Sequence, residues 1–112
     1  MQNDGFENFL EPFDERTRER FKFFYELIFE STSQVVEAKL WAKLPSFYCG
    51  DNYVRIIPFK DHINIEAKGM IAYQEKLKEY RFTPKGMLQI GHKQAIPTEI
   101  LRIIFKESLE EK

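Results

Sequence analysis

The sequence predicts an α+β fold, a mostly antiparallel sheet with helices packed on one of its faces. Three observations predict it. Apolar residues recur with a 3.6-residue period at both ends of the chain, and between them the period falls to two. Turn residues separate the short alternating runs so closely that consecutive strands must return on one another as hairpins. The 112 residues are 43% hydrophobic and 15% aromatic, with eleven Phe, enough for one core without disulfides or metal. No repeat, low-complexity tract or flexible linker interrupts them, so a single domain over 1–112 is expected.

Asp4 to Leu10 reads as a short helical piece that Pro12 stops, because a ring nitrogen without a hydrogen cannot continue a helix. Asp14 then suits the N-cap of a long helix over 14–31, its carboxylate accepting from free N–H groups of the first turn. There Phe21, Phe24, Tyr25 and Ile28 fall at i, i+3, i+4 and i+7, one apolar stripe that Leu27 and Phe29 widen. Arg16, Glu19, Arg20, Lys22 and Glu26 face water. After "STSQ" the run "VVEAKLWAKL" alternates. Val36, Ala38, Leu40 and Ala42 point to one side, and Glu37, Lys39, Trp41 and Lys43 to the other. Pro45 is expected to end that strand, with 46–49 as a short second one.

"CGDN" is a turn, Gly50 tolerating positive φ and Asp51 and Asn52 making local bonds. Residues 53–59 form a β-rich strand, "FKDH" a tight turn, and 62–67 the returning strand, in which Ile63, Ile65 and Ala67 alternate with His62, Asn64 and Glu66. Gly69 releases the chain into a helix over 71–80. "TPKG" at 83–86 is a turn before a strand at 87–90. Pro97 opens a last helix, where its missing N–H is no loss, with Ile100, Leu101, Ile104 and Phe105 on its apolar face. The predicted order is α-α-β-β-β-β-α-β-α.

Charge and cysteine content exclude several classes of function. Seventeen basic against eighteen acidic side chains give a net charge of −1, with the signs interleaved. A nucleic-acid footprint needs a basic stripe that displaces counterions, so no nucleic-acid partner is expected. A single Cys cannot form an internal disulfide, which fits a reducing compartment. The N-terminus lacks the basic and apolar regions of a secretion signal, and no apolar run approaches the ~20 residues of a membrane span. The expectation is a cytoplasmic protein without membrane contact.

The two faces of the sheet differ in character. Val36, Ala38, Leu40, Val54, Ile56, Ile63 and Ile65 form apolar rows that belong under the helices. The opposite face carries Glu37, Lys39, Trp41, Tyr53, Arg55, Ile57, Phe59, His62, Asn64 and Glu66, a mixture of aromatic and charged groups typical of recognition surfaces. Its expected binding residues are Trp41, Tyr53, Arg55, Phe59 and His62, joined by Lys85. Trp41 and Tyr53 would give apolar contact with a polar handle. Arg55 and Lys85 would hold an anion, and His62 would bond at the centre.

Catalytic chemistry finds little support. Cys49 beside Phe47 and Tyr48 reads as a small apolar filler rather than a nucleophile served by His62. Neither a C-x-x-C nor an H-E-x-x-H pattern supplies zinc ligands. Lys85–Gly86 falls short of a phosphate-binding loop, and no Ser sits in a G-x-S-x-G elbow. The expectation is a binding module and not an enzyme, for a small molecule or protein partner, monomeric or weakly homodimeric and without a cofactor. The alternative is an open carboxylate–histidine iron site around His62 and Glu66, with His92 and Asp61 nearby.

Taken together, "FENFLEPFDERTRERFKFFYELI", "VVEAKLWAKLPSF", "NYVRIIPFKDHINIEAKG", "LKEYRFTPKGMLQI" and "AIPTEILRIIFKESL" resemble the YdhG-like family of domains of unknown function. The order and spacing of Leu44-Pro45-Ser46-Phe47, Phe59-Lys60-Asp61-His62-Ile63, Pro84-Lys85-Gly86 and Gln89 carry the resemblance, over residues 5 to 109. Trp41-Ala42-Lys43 and Asn64 depart from the family's pattern. The resemblance implies an α+β fold and a small bacterial cytosolic protein. Some relatives are described as frataxin-like intracellular iron chaperones, which is the source of the iron-delivery alternative.

Overall fold

A computed structural model describes residues 4–111; the ends of the expected 1–112 domain, residues 1–3 and 112, lie outside them. The first helix, α1, is Phe6–Leu10 and the long helix, α2, Glu15–Ser31. Strands follow as β1 (Glu37–Trp41), β2 (Leu44–Cys49), β3 (Asn52–Pro58) and β4 (His62–Ala67). A 3₁₀ segment, Lys68–Leu77, leads to β5 (Arg81–Phe82) and β6 (Leu88–Gly91), and α3 (Thr98–Glu110) closes the chain. One six-stranded sheet runs in the order β1-β2-β3-β4-β6-β5, and every neighbouring pair is antiparallel. The fold is α+β.

The long helix begins where the sequence places it. The Asp14 carboxylate accepts from the Thr17 N–H at 2.9 Å, and this bond holds the Asp14 carboxyl below the usual carboxylate range. Phe21, Phe24, Leu27 and Ile28 are buried along one stripe, whereas Phe29, expected to widen it, is 38% exposed. The stripe packs with α3 against the inner row of the sheet, Phe47, Val54, Ile56, Ile63, Ile65, Leu88 and Ile90, all fully buried. Phe6 of α1 fills the remaining corner, edge-on to Phe21 and Phe47 with centroids 5.6 and 5.5 Å apart.

Three expectations are corrected. The first strand does not run to Pro45. Trp41 pairs with Leu44, so Ala42 and Lys43 form a two-residue turn, with φ of 51° and 67°. Pro45 instead lies inside β2 opposite Leu40. Pairing of β2 with β3 starts only at Ser46, so its missing N–H forfeits no ladder bond. Second, Leu40 is on the inner side as expected but 38% exposed, because β1 is an edge strand that the helices cover incompletely.

Third, residues 71–80 do not form an α-helix. The 3₁₀ segment starts directly after β4, and the Gly69 N–H donates to Ser108 Oγ of α3 at 2.9 Å. Ten residues at ~2.0 Å rise span about 20 Å, against about 15 Å for an α-helix. That reach carries the chain along α3 to β5, a two-residue strand whose brevity hid it in the sequence.

Candidate binding face

Register builds the outer face. Ser46 lies opposite Arg55, and Arg55 opposite Glu66, so a hydroxyl, a guanidinium and a carboxylate line up across three strands. Tyr48 lies opposite Tyr53 on the same side. Arg55 Nε donates to Ser46 Oγ at 3.0 Å, Nη1 to Glu66 Oε1 at 3.2 Å and Nη2 to Tyr48 Oη at 3.4 Å. The guanidinium lies over the rings of Trp41 and Tyr53, its central carbon 4.2 and 3.9 Å from their centroids. Cation–π attraction holds such a stack. Arg55 is only 7% exposed while Trp41 is 52% exposed. Burial works against the Arg55 charge, but its partners Tyr48, Tyr53 and Glu66 outweigh that and leave its pKa raised.

Trp41, Tyr53 and Arg55 therefore meet, as the alternation predicts. A groove of about 530 Å³ runs over them and over Glu37, Lys39 and Tyr48. Lys85, in the 83–86 turn, lines a neighbouring hollow of about 380 Å³ together with Tyr53, Glu66, Asp51 and Lys68. Asp51 and Tyr53 line both. Each nitrogen of the Arg55 guanidinium already has a partner within the protein, so its part is to fix the rings; Lys39 is an accessible cation at the groove, and Lys68 and Lys85 are accessible at the hollow.

Phe59 and His62 stand apart from this cluster. Their rings stack at 4.5 Å and 16°, beside the turn at the opposite ends of β3 and β4. Nδ1 of His62 lies 2.6 Å from Asp61 Oδ1, a bond that holds the Asp61 carboxyl below its usual range. His92 is almost fully buried, its Nε2 3.1 Å from Thr17 Oγ1 and 3.0 Å from the Phe59 carbonyl oxygen. It ties the turn to α2 rather than joining His62 at the surface. His62 and Glu66 are four residues apart on β4, about 13 Å along a strand, and Glu66 pairs with Arg55. Among the described residues no three His, Cys, Asp or Glu side chains gather around a common point for a metal ion.

Cys49 and His62 lie on opposite faces of the sheet. Cys49 is in the core, its Sγ 3.6 Å from the Val35 carbonyl oxygen, and burial pushes its thiol up, helped by the Glu110 charge. Ser46 and Tyr48 belong to the site but escape a reading of β1, β3 and β4 alone. Their signal was the alternation with Phe47 and Cys49 within β2.

No family model matches the chain, and neither does any curated protein or solved structure. Among the described residues no helix is long and apolar enough to cross a membrane.

Proposed function

We propose that this protein is a non-enzymatic binding module whose outer sheet face holds a small ligand or a protein partner. The observation that carries the proposal is the Tyr53–Arg55–Trp41 stack. It presents a large, half-exposed aromatic plane on a face the helices leave free. Its rings are pre-set by a guanidinium with three hydrogen-bonded partners. Rigid aromatic surface loses little side-chain freedom on binding, which is the usual penalty at an interface. Lys39 and Glu37 on one side and Lys85 and Glu66 on the other offer both signs of charge. A partner with a flat apolar part flanked by charged groups, such as an aromatic metabolite or a short peptide segment, fits that arrangement. The resemblance to the YdhG-like family supports a cytoplasmic setting for it.

The test is a screen of isotope-labelled protein against pooled metabolites and peptides, read by backbone and indole N–H shifts. Hits are expected to move the indole of Trp41, the sole tryptophan, and the amides of Lys39, Tyr48, Tyr53 and Glu66. Hits that move only α2, α3 or the Phe59–His62 turn would place the binding surface elsewhere.

A further inference from the structure

The free edge of β1 is the other unusual surface of this molecule. The opposite edge of the sheet, β5, is only two residues long, too short to template pairing. β1 offers five residues and is paired on one side only, with β2. Natural sheets blunt such edges, yet this one displays apolar groups: Val35, just before the strand, is 90% exposed, Trp41 52% and Leu40 38%. In a two-residue hairpin the closing pair, here Trp41 and Leu44, exchanges the ladder bonds. Alternation then turns the main-chain groups of Lys39 and Glu37 toward β2 and leaves those of Ala38 and Leu40 directed outward, with no strand beside them among the described residues.

We propose that β1 pairs antiparallel with β1 of a second copy, across a two-fold axis at Ala38, to form a continuous twelve-stranded sheet from two six-stranded ones. A two-fold axis normal to the sheet keeps the helices of both copies on one side and restricts the register to axes that pass through a residue pair. Side chains directly opposite share a face, which makes the candidate registers easy to compare. An axis at Lys39 sets Lys39 against the partner's Lys39, and one at Glu37 sets two carboxylates together, both repulsive. An axis at Ala38 instead places Glu37 opposite the partner's Lys39, and Lys39 opposite the partner's Glu37. In the same register Trp41 meets the partner's Val35 on the outer face, and Leu40 meets the partner's Val36 on the inner face. Every exposed apolar group of this edge finds an apolar neighbour.

Lys39, which alone would act as a charge that blocks edge pairing, becomes half of a reciprocal ion pair. Within one copy its ammonium is already 3.6 Å from Glu37 Oε1, so the dimer extends an existing pair into a ladder. The assembly also completes the outer face, since Val35 of the partner subunit becomes a wall of the groove at Trp41. The inference does not require the ligand proposed above, and either can fail alone. With only one strand a side, the interface belongs to the small, transient class.

Sedimentation velocity and equilibrium on the full chain test this, from about 5 to about 500 μM, a range bracketing the micromolar affinities of such contacts. The mass should rise with concentration from 13.4 kDa toward twice that value. Glu37→Lys alone, and Lys39→Glu alone, set like charges together twice and should weaken the dimer at least about tenfold. The double variant Glu37→Lys/Lys39→Glu restores opposite pairs and should regain wild-type association. These side chains are exposed, so the fold is expected to survive, which a circular-dichroism melt of each variant checks. A wild-type protein that stays monomeric throughout overturns the proposal. So does a dimer indifferent to the single substitutions, or one lost in them and not regained in the double variant.

Discussion

At the scale of residues, side chains acquire their roles from the face on which alternation puts them. Arg55 and Glu66, drawn from neighbouring strands, are useful only because the register sets them opposite each other. A guanidinium can be buried this deeply only when its donors are met, since an unpaired buried charge is strongly destabilising. Cys49 shows the reverse case. One residue along from Tyr48 in the same strand, it faces the core, and burial disfavours its thiolate. A thiol with a raised pKa stays protonated at neutral pH, and reaction with iodoacetamide needs the thiolate. Alkylation should therefore be negligible at and below pH 7, and should rise only above the ordinary thiol range. Rapid alkylation below pH 7 would show an activated cysteine and contradict the geometry. Cys49→Ala should lower stability modestly, through the lost core contacts, without altering the outer face.

At the scale of elements, two devices hold the architecture, one strongly specified and one strained. Phe24 is fully buried in the middle of the α2 stripe, and removing such a ring in a core costs about 3–5 kcal/mol. Against a total of about 5–15 kcal/mol, Phe24→Ala should leave a marginal protein, visible as a sharply reduced denaturant midpoint. An unchanged midpoint would mean that the ring does not bear on the core. The β1–β2 turn is the strained device, because Ala42 and Lys43 both hold positive φ where Asn-Gly is favoured. Ala42→Asn and Lys43→Gly should each raise stability by about 1 kcal/mol; a lower melting temperature for both would show that the positive φ carries no strain. This turn also marks the limit of what the sequence discloses. Period-two alternation assigned Trp41, Tyr53 and Arg55 to the correct face, since a strand keeps its parity whatever its neighbours. Neither Ala nor Lys carries a turn signal, however, while Pro45, which does, lies in mid-strand. Nor does alternation distinguish an edge from a central strand, so Leu40 looked like core. The stack on Arg55 depends on which strands are neighbours, and that information is absent from any local pattern.

At the scale of the whole molecule, the helices gather on one side of the sheet and the Trp41–Arg55–Tyr53 cluster on the other, and two predictions test the roles proposed for that face. The first concerns metal. His62 and Glu66 are separated along β4, and Glu66 already serves Arg55, so these two do not form a preorganised ligand pair for a cation. Anaerobic titration with Fe²⁺ should show no saturable site tighter than about 1 μM, a binding free energy near −8 kcal/mol. A stoichiometric submicromolar site lost in His62→Ala would favour the iron-delivery alternative over the binding module. The second concerns Trp41. Its ring lies over Arg55 and is not part of the core cluster under the helices, so Trp41→Ala removes one cation–π contact, about 0.5–1 kcal/mol at a half-exposed site. The melting curve should therefore shift only slightly. Binding should suffer far more, because covering the remaining exposed half of the indole contributes on the order of 1–2 kcal/mol at ~25 cal/mol per Å², about a tenfold change in affinity, and the ligand's flat surface would lose its platform. Arg55, left open on that side, would also become accessible to water. Calorimetric titration of Trp41→Ala and wild-type protein with a hit from the shift screen, beside their melting curves, separates the two effects. A variant that melts near the wild-type temperature yet binds the hit at least about tenfold more weakly fits a face built for recognition. A variant that binds as tightly as wild type would reduce the Trp41 ring to a lid over Arg55.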